Sequence, residues 1–188
     1  MSLILKLDSN GQPQSWISWQ TAAIYHAKGL VAWELGKVET TIHGGKSRAT
    51  GEQSVIVTSS IIAVKGEANK RKHRAPALNN RELFRRDRHL CAYCATVYGD
   101  SKLTRDHIQP ASRGGKDTWM NTVTCCAKCN QKKDDRTPEE AGMQLVYAPY
   151  VPSRAEHLIL RNRTILADQM EFLLAFVDEK SRVHKGDL

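Results

Sequence analysis

No run of apolar residues in this 188-residue chain is longer than six, the stretch 172–177. A membrane-spanning helix needs about 20, so an integral membrane protein is not expected. The opening MSLILKLDSNGQPQ lacks the basic lead and the small-residue cleavage site of a secretory signal. The expected compartment is therefore a reducing cytoplasm. No internal repeat is visible, and no low-complexity tract beyond one basic block. At 40% apolar and 26% charged, the composition is that of a globular chain rather than a disordered one. The length suits one or two domains and can bury a core without disulfides.

Acidic residues are scarce in one place. Lys and Arg number 28 against 20 Asp and Glu, a net charge of +8. Residues 65–88 hold nine basic residues and three acidic ones, whereas 1–64 is only +1 and 152–188 is neutral. A single basic block points to a polyanionic partner, with a phosphate backbone the first candidate. Its plain alternative is a linker kept soluble by charge. Arg71, Lys72, Arg74, Arg85 and Arg86 are the candidate contacts that this block supplies.

Four segments can be told apart. Residues 1–64 read as a small α/β unit. LILKL is a strand, DSNGQPQ a turn cluster, and Ser18 or Thr21 caps a helix that Gly29 stops. LVAWELG and SVIVTSSIIAV read as further strands, with 41–53 as loop or hairpin. Residues 65–80 form the basic connector. Residues 81–150 carry all five cysteines. Residues 151–188 hold a C-terminal helical segment, with Leu158, Leu160, Ile165, Leu166, Met170, Leu173, Leu174 and Val177 at helical spacing. A break is expected at 162–164, and the helices are expected as cover for the cysteine-bearing module or as a dimer contact.

Cys91-x-x-Cys94 and Cys126-x-x-Cys129 are two tight knuckles. Together they present four thiolates to one ion, and tetrahedral sulfur suits structural zinc. A disulfide framework is disfavoured in the cytosol, and a thioredoxin-type motif would occur once rather than twice. Cys125 has no ligand role in this spacing and reads as a small buried thiol.

The 31 residues between the knuckles contain Asp106-His107, Pro110, Ser112-Arg113-Gly114-Gly115 and Trp119-Met120-Asn121, and Asn130 follows Cys129 directly. Asp106 and Asn130 supply two oxygen donors, which leaves most positions around a magnesium-like ion to water and phosphate. His107 is the candidate general base, since the imidazole of a free histidine titrates near neutral pH. Trp119 reads as packing rather than base stacking.

The stretch 81–145 resembles the HNH endonuclease family of ββα-metal nucleases in its zinc-clipped form. The resemblance rests on CxxC, DH, P-x-S-x-GG, W-x-N, CxxCN and a trailing Lys. The first 64 residues also resemble the small α/β segment that often precedes such modules in bacterial and phage proteins, which makes the cytoplasm either a bacterial cell's or a phage host's. The resemblance implies an α+β fold: a ββα-metal module with a four-cysteine zinc, a small α/β unit before it and helices after it. It implies a metal-dependent DNA endonuclease with His107 as general base and Asn121 orienting it by bonding its backbone. Asp106 and Asn130 would be ligands of one divalent ion, a His-Asn-Asn variant of the family's pattern. Magnesium or manganese is the expected ion, with nickel a further option. Arg113, Lys132 and Lys133 are phosphate-contact candidates beside the centre. The expected partner is DNA, with the oligomeric state open and a homodimer one option. The rival readings are a non-catalytic zinc module that binds nucleic acid and a regulatory subunit whose N-terminal unit binds a protein.

Overall fold

A computed structural model describes residues 2–66, 75–179, 181 and 183. The chain divides into two compact units. The first draws on both ends of the chain, up to residue 74 and again from Ser153; the second is the intervening stretch from Ala75 to Pro152. Arg71, Lys72 and Arg74 of the basic connector lie outside the described residues.

The first unit is a four-stranded mixed sheet in the order β2-β1-β4-β3. Its strands are β1 Ile4–Asp8, β2 Pro13–Ile17, β3 Val31–Lys46 and β4 Gln53–Val64. β1 lies parallel to β4, with Leu5 opposite Ile61 and Leu7 opposite Ala63. Those four side chains share one face and pack with Ala155, Leu158, Ile159 and Leu173. Ile4 and Ile62 point the other way, onto Ala22 of helix α1, Trp19–Ala27. Central strands covered on both faces read as almost unbroken apolar runs, which is why ILKL and IIAV show little alternation.

Ser18 caps α1, its side chain accepting from Thr21 N, and Gly29 ends the helix at φ +64. The turn cluster is shorter than expected: Asp8 Oδ1 accepts from Asn10 N and Gln12 N, and the chain is already in β2 at Pro13. The stretch 41–53 is not mainly loop, because β3 continues to Lys46 and only 47–52 turn. Here the ladder pairs Thr41 with Val57 and His43 with Val55. Backbone bonding sustains it while the β3 side chains are largely polar, so hydrophobicity gives no signal.

The two C-terminal helices are α4, Arg154–Arg161, capped by Ser153, and α5, Ala167–Leu174. The expected break lies between them, where Asn162 Oδ1 accepts from Thr164 N. Their apolar faces lie in the core of the first unit, rather than covering the cysteine-bearing module. No helix among the described residues is long and apolar enough to cross a membrane.

The second unit is a ββα module. Helix α2, Asn80–Arg86, is capped by Asn79. Strands β5, Leu103–His107, and β6, Thr122–Cys126, pair antiparallel, and helix α3, Ala127–Lys133, follows β6 without a loop. Leu83, Phe84, Leu103 and Trp119 form its apolar core, and Trp119 Nε1 donates to Pro76 O. Trp119 is therefore a packing residue, as expected.

Arg86 was expected on the surface, as a DNA contact, and the structure corrects this: its side chain is 1% exposed. Its Nε and Nη2 grip Asp87, while Nη1 reaches Trp119 O and Tyr150 O and Nη2 also reaches Thr122 O. All five guanidinium N–H groups are thus used internally. Asp87 also accepts from Thr124 N at 2.8 Å, which fixes β6 to the same pair.

Candidate functional site

Both knuckles arise from local geometry. In the first, Leu90 bridges to Val97 and Ala95 takes a left-handed conformation, so the chain folds back on itself between Cys91 and Cys94. In the second, Cys126 is the N-cap of α3, its sulfur accepting from Cys129 N. Cys126 N in turn points at Cys91 Sγ. The four Sγ atoms of Cys91, Cys94, Cys126 and Cys129 all lie within 4.8 Å of one another. Sulfurs about 2.3 Å from a tetrahedral ion are about 3.8 Å apart, so closure requires movements of at most about 1 Å. The site fits zinc. Burial pushes the Cys94 thiol up, but hydrogen bonds from Thr96, Cys91 and Tyr98 outweigh it and bring it down to about 6. A thiolate is the form a metal takes. Cys125 is fully buried, donates to Cys126 O, and is pushed up by burial, in keeping with an inert thiol.

Strand β5 sorts the remaining residues by its two-residue period. Thr104 and Asp106 face α3, where Asn130 and Lys133 stand one turn apart. Asn130 Nδ2 donates to Thr104 Oγ1 at 3.0 Å, and Lys133 Nζ donates to Asp106 Oδ1 at 3.0 Å. Lys133 Nζ also reaches His107 O, and Tyr93 donates to Asp106 Oδ2 at 2.6 Å. Burial, and then the carboxylate it serves, push the Tyr93 phenol far above its ordinary range, so it stays a donor. Lys133 is 1% exposed and Asp106 5%. The expectation of Lys133 as a surface phosphate contact is corrected: helical spacing turns it inward, onto the carboxylate.

Arg105 and His107 occupy the opposite face, and both converge on Asp117. Arg105 Nη1 lies 2.7 and 2.6 Å from the two Asp117 oxygens, and His107 Nε2 lies 3.2 Å from Oδ1. Arg105 holds the Asp117 carboxyl below its ordinary value, more than its partial burial raises it. Asp117 escaped the sequence reading, since no fixed spacing ties a loop aspartate to a base ten residues away. The His107 ring is a quarter exposed.

Asn121 braces the loop between the strands. Its Oδ1 accepts from Gln109 N, and its Nδ2 donates to Gln109 O and Lys116 O. The expected bond to the backbone of His107 itself is replaced by one two residues on, while Ile108 N donates to Asn121 O. The Gly pair has a reason: Gly114 is left-handed at φ +83, and a Cβ on Gly115 would collide with Gln109 O.

Of the other candidate contacts, Arg113 is exposed but paired with Glu140 at 2.7 Å, and Arg85 is paired with Glu82 at 2.9 Å. Lys132 is exposed.

For a catalytic ion, Asp106 and Asn130 lie along one strand–helix seam. Each Asp106 oxygen accepts one hydrogen bond here and retains capacity for another interaction. The Asn130 amide nitrogen serves Thr104, so its oxygen is the donor left to an ion. One carboxylate and one amide oxygen are donors of the kind a hard cation of the magnesium type takes, and Lys133 Nζ already lies 3.0 Å from Asp106 Oδ1.

Residues 91–146 match the family model described as HNH endonuclease. Over 65 residues the chain is 37% identical to the CRISPR-associated endonuclease Cas9 of Campylobacter jejuni. That stretch is 31% of this chain and only 7% of the relative's own length.

Proposed function

Residues 91–146 form an HNH endonuclease module, and from this premise we propose that the chain is a metal-dependent DNA endonuclease that hydrolyses phosphodiester bonds by a one-metal mechanism. The observation that carries the reading is one strand, β5, presenting Asp106 to the Asn130 helix on one face and a partly exposed His107 on the other. The four-cysteine clip holds the start of that helix, and β5 is held beside it by its ladder to β6.

Asp106 and Asn130 would hold one divalent ion, magnesium or manganese, with nickel an alternative. When bound it would supply Lewis-acid charge to the scissile phosphate and the leaving oxygen. His107 takes a proton from the attacking water. Asn121 keeps that base in place by fixing the backbone just after it. Exposed Lys132, with Arg113 once released from Glu140, contacts flanking phosphates, and Arg71, Lys72 and Arg74 add sequence-independent affinity. The four cysteines hold zinc in a closed, structural site. By analogy with the family, the products carry 5′-phosphate and 3′-hydroxyl ends.

One observation favours the second reading, a non-catalytic zinc module that binds nucleic acid. Asp106 is held by Lys133 and Tyr93 as a structural carboxylate would be. Supercoiled plasmid incubated with Mg²⁺, Mn²⁺, Ni²⁺ or EDTA decides between them. The proposal expects metal-dependent cleavage that His107→Ala lowers by about 10²–10⁴-fold while zinc content and DNA affinity persist. Cleavage by His107→Ala at the unmodified rate would refute the base assignment. Binding without cleavage in any metal would favour the second reading.

A further inference from the structure

We propose that Asp117 is a positioning residue that locks His107 in the Nε2–H tautomer, with Arg105 as its anchor, so that Nδ1 is the atom that receives the proton from water. The inference rests on the reading of His107 as general base and deepens it.

The argument begins with the two-residue period of β5. Arg105 and His107 share a face, and both reach the same carboxylate. Arg105 is itself fastened at the far side, its Nε donating to Asn80 Oδ1 at 3.0 Å at the start of α2. A connected line runs from Asn80 through Arg105 and Asp117 to the His107 ring.

The chemistry of that line is one-directional. Arg105 Nη1 donates to both oxygens of Asp117, as only an acceptor allows. Arg105 keeps that carboxyl ionised near neutral pH, and an ionised carboxylate accepts hydrogen bonds and donates none. The 3.2 Å contact must then be Nε2–H donating to Oδ1. A neutral imidazole carries one N–H, so Nδ1 is left bare. A base needs a bare nitrogen, and a carboxylate on the opposite nitrogen both selects it and stabilises the imidazolium that forms on proton transfer. Asn121 fixes the backbone after His107, which sets the ring's place, whereas Asp117 sets which nitrogen is free. The two roles are distinct and separable by substitution.

Asp117→Asn is the variant of choice. An amide can present either oxygen or NH₂ to Nε2, so it no longer dictates the tautomer, and it gives Arg105 a poorer acceptor. Asp117 is 53% exposed, so zinc content and folding should be unchanged. Two measurements are made on the full zinc-loaded chain: single-turnover plasmid cleavage, and ¹⁵N NMR of the His107 ring. The unmodified protein should show protonated Nε2 and bare Nδ1. Asp117→Asn should show mixed tautomers and a cleavage constant about 10- to 100-fold lower, less than the ~10⁴-fold typical of a buried Asp–His pair because water reaches this one. As a control, DNA affinity measured with no Mg²⁺ or Mn²⁺ added should stay within about twofold. Arg105→Lys should fall between them, keeping charge but losing the guanidinium that reaches Asp117 and Asn80 together. A protonated Nδ1 in the unmodified protein overturns the proposal. So does Asp117→Asn with an unmodified rate, provided that His107→Ala is inactive. If His107→Ala itself cleaves normally, the base reading falls and takes this inference with it.

Discussion

Replacing Arg86 with Met would leave the chain with a buried anion and three carbonyls that each lose a donor. Asp87 is fully buried and Arg86 1% exposed, so solvent does not soften the loss. Removing one partner of a buried ion pair costs about 3–5 kcal/mol, because the remaining charge is uncompensated. Here Thr124 N still serves Asp87, which argues for the lower part of that range. Trp119 O, Tyr150 O and Thr122 O each lose a donor as well, and a buried acceptor left unsatisfied costs about 1–3 kcal/mol. These terms are coupled and do not simply add, so about 4–5 kcal/mol is expected in total. A domain of this size has about 5–15 kcal/mol to lose, so the second unit would become marginal. Arg86→Lys keeps the charge but not the five-donor fork, and should lose roughly half as much. Hydrogen exchange on the full chain reads this directly: protection of amides in β5 and β6 should collapse while that of β1 and β4 holds. DNA binding by the folded fraction should keep its salt dependence. Unchanged protection in β5 and β6 together with weaker DNA binding and a flatter salt slope would refute the reasoning and return Arg86 to the surface.

Two further outcomes follow from the site. Cys91→Ser should abolish bound zinc and expose the amides of β5 and β6, because ligand bonds contribute folding free energy, whereas Cys125→Ser should retain metal and protection; metal analysis with hydrogen exchange checks both. Lys133→Met removes a positive charge that lies 3.0 Å from Asp106, so Mn²⁺ binding followed by electron paramagnetic resonance should tighten by about tenfold or more; unchanged or weaker Mn²⁺ affinity would show that the lysine does not compete with an ion there.

The parts of this fold that sequence conveys are those with a local signature. The knuckles are visible because a two-residue gap between cysteines has few other uses, and Ser18 was visible as a cap candidate because caps precede helical runs. The 162–164 break could be read for the same reason. Charged residues that act internally left no such signature. Arg86 and Lys133 were assigned to the surface from their charge, and their acceptors include backbone carbonyls at 119, 122, 150 and 107 that no residue identity announces. β2 was hidden by the turn residues before it, and the outer half of β3 by polar side chains on a ladder that the backbone maintains. Asp117 lies where only the three-dimensional loop decides what it meets.

The first unit's dependence on both ends of the chain has a consequence for biosynthesis. Domains generally fold as units while the chain emerges at about 5–20 residues per second. The sheet face formed by Leu5, Leu7, Ile61 and Ala63 is covered by Ala155, Leu158, Ile159 and Leu173, all translated after the module between. The cysteine-bearing module therefore has all four cysteines in hand while the sheet of the first unit still shows a bare apolar face. A chain halted before residue 153 would carry the nuclease module attached to a sticky, unfinished host, the kind of species that chaperones and proteases retain. Synthesis of α4 and α5 is therefore the step that covers this face.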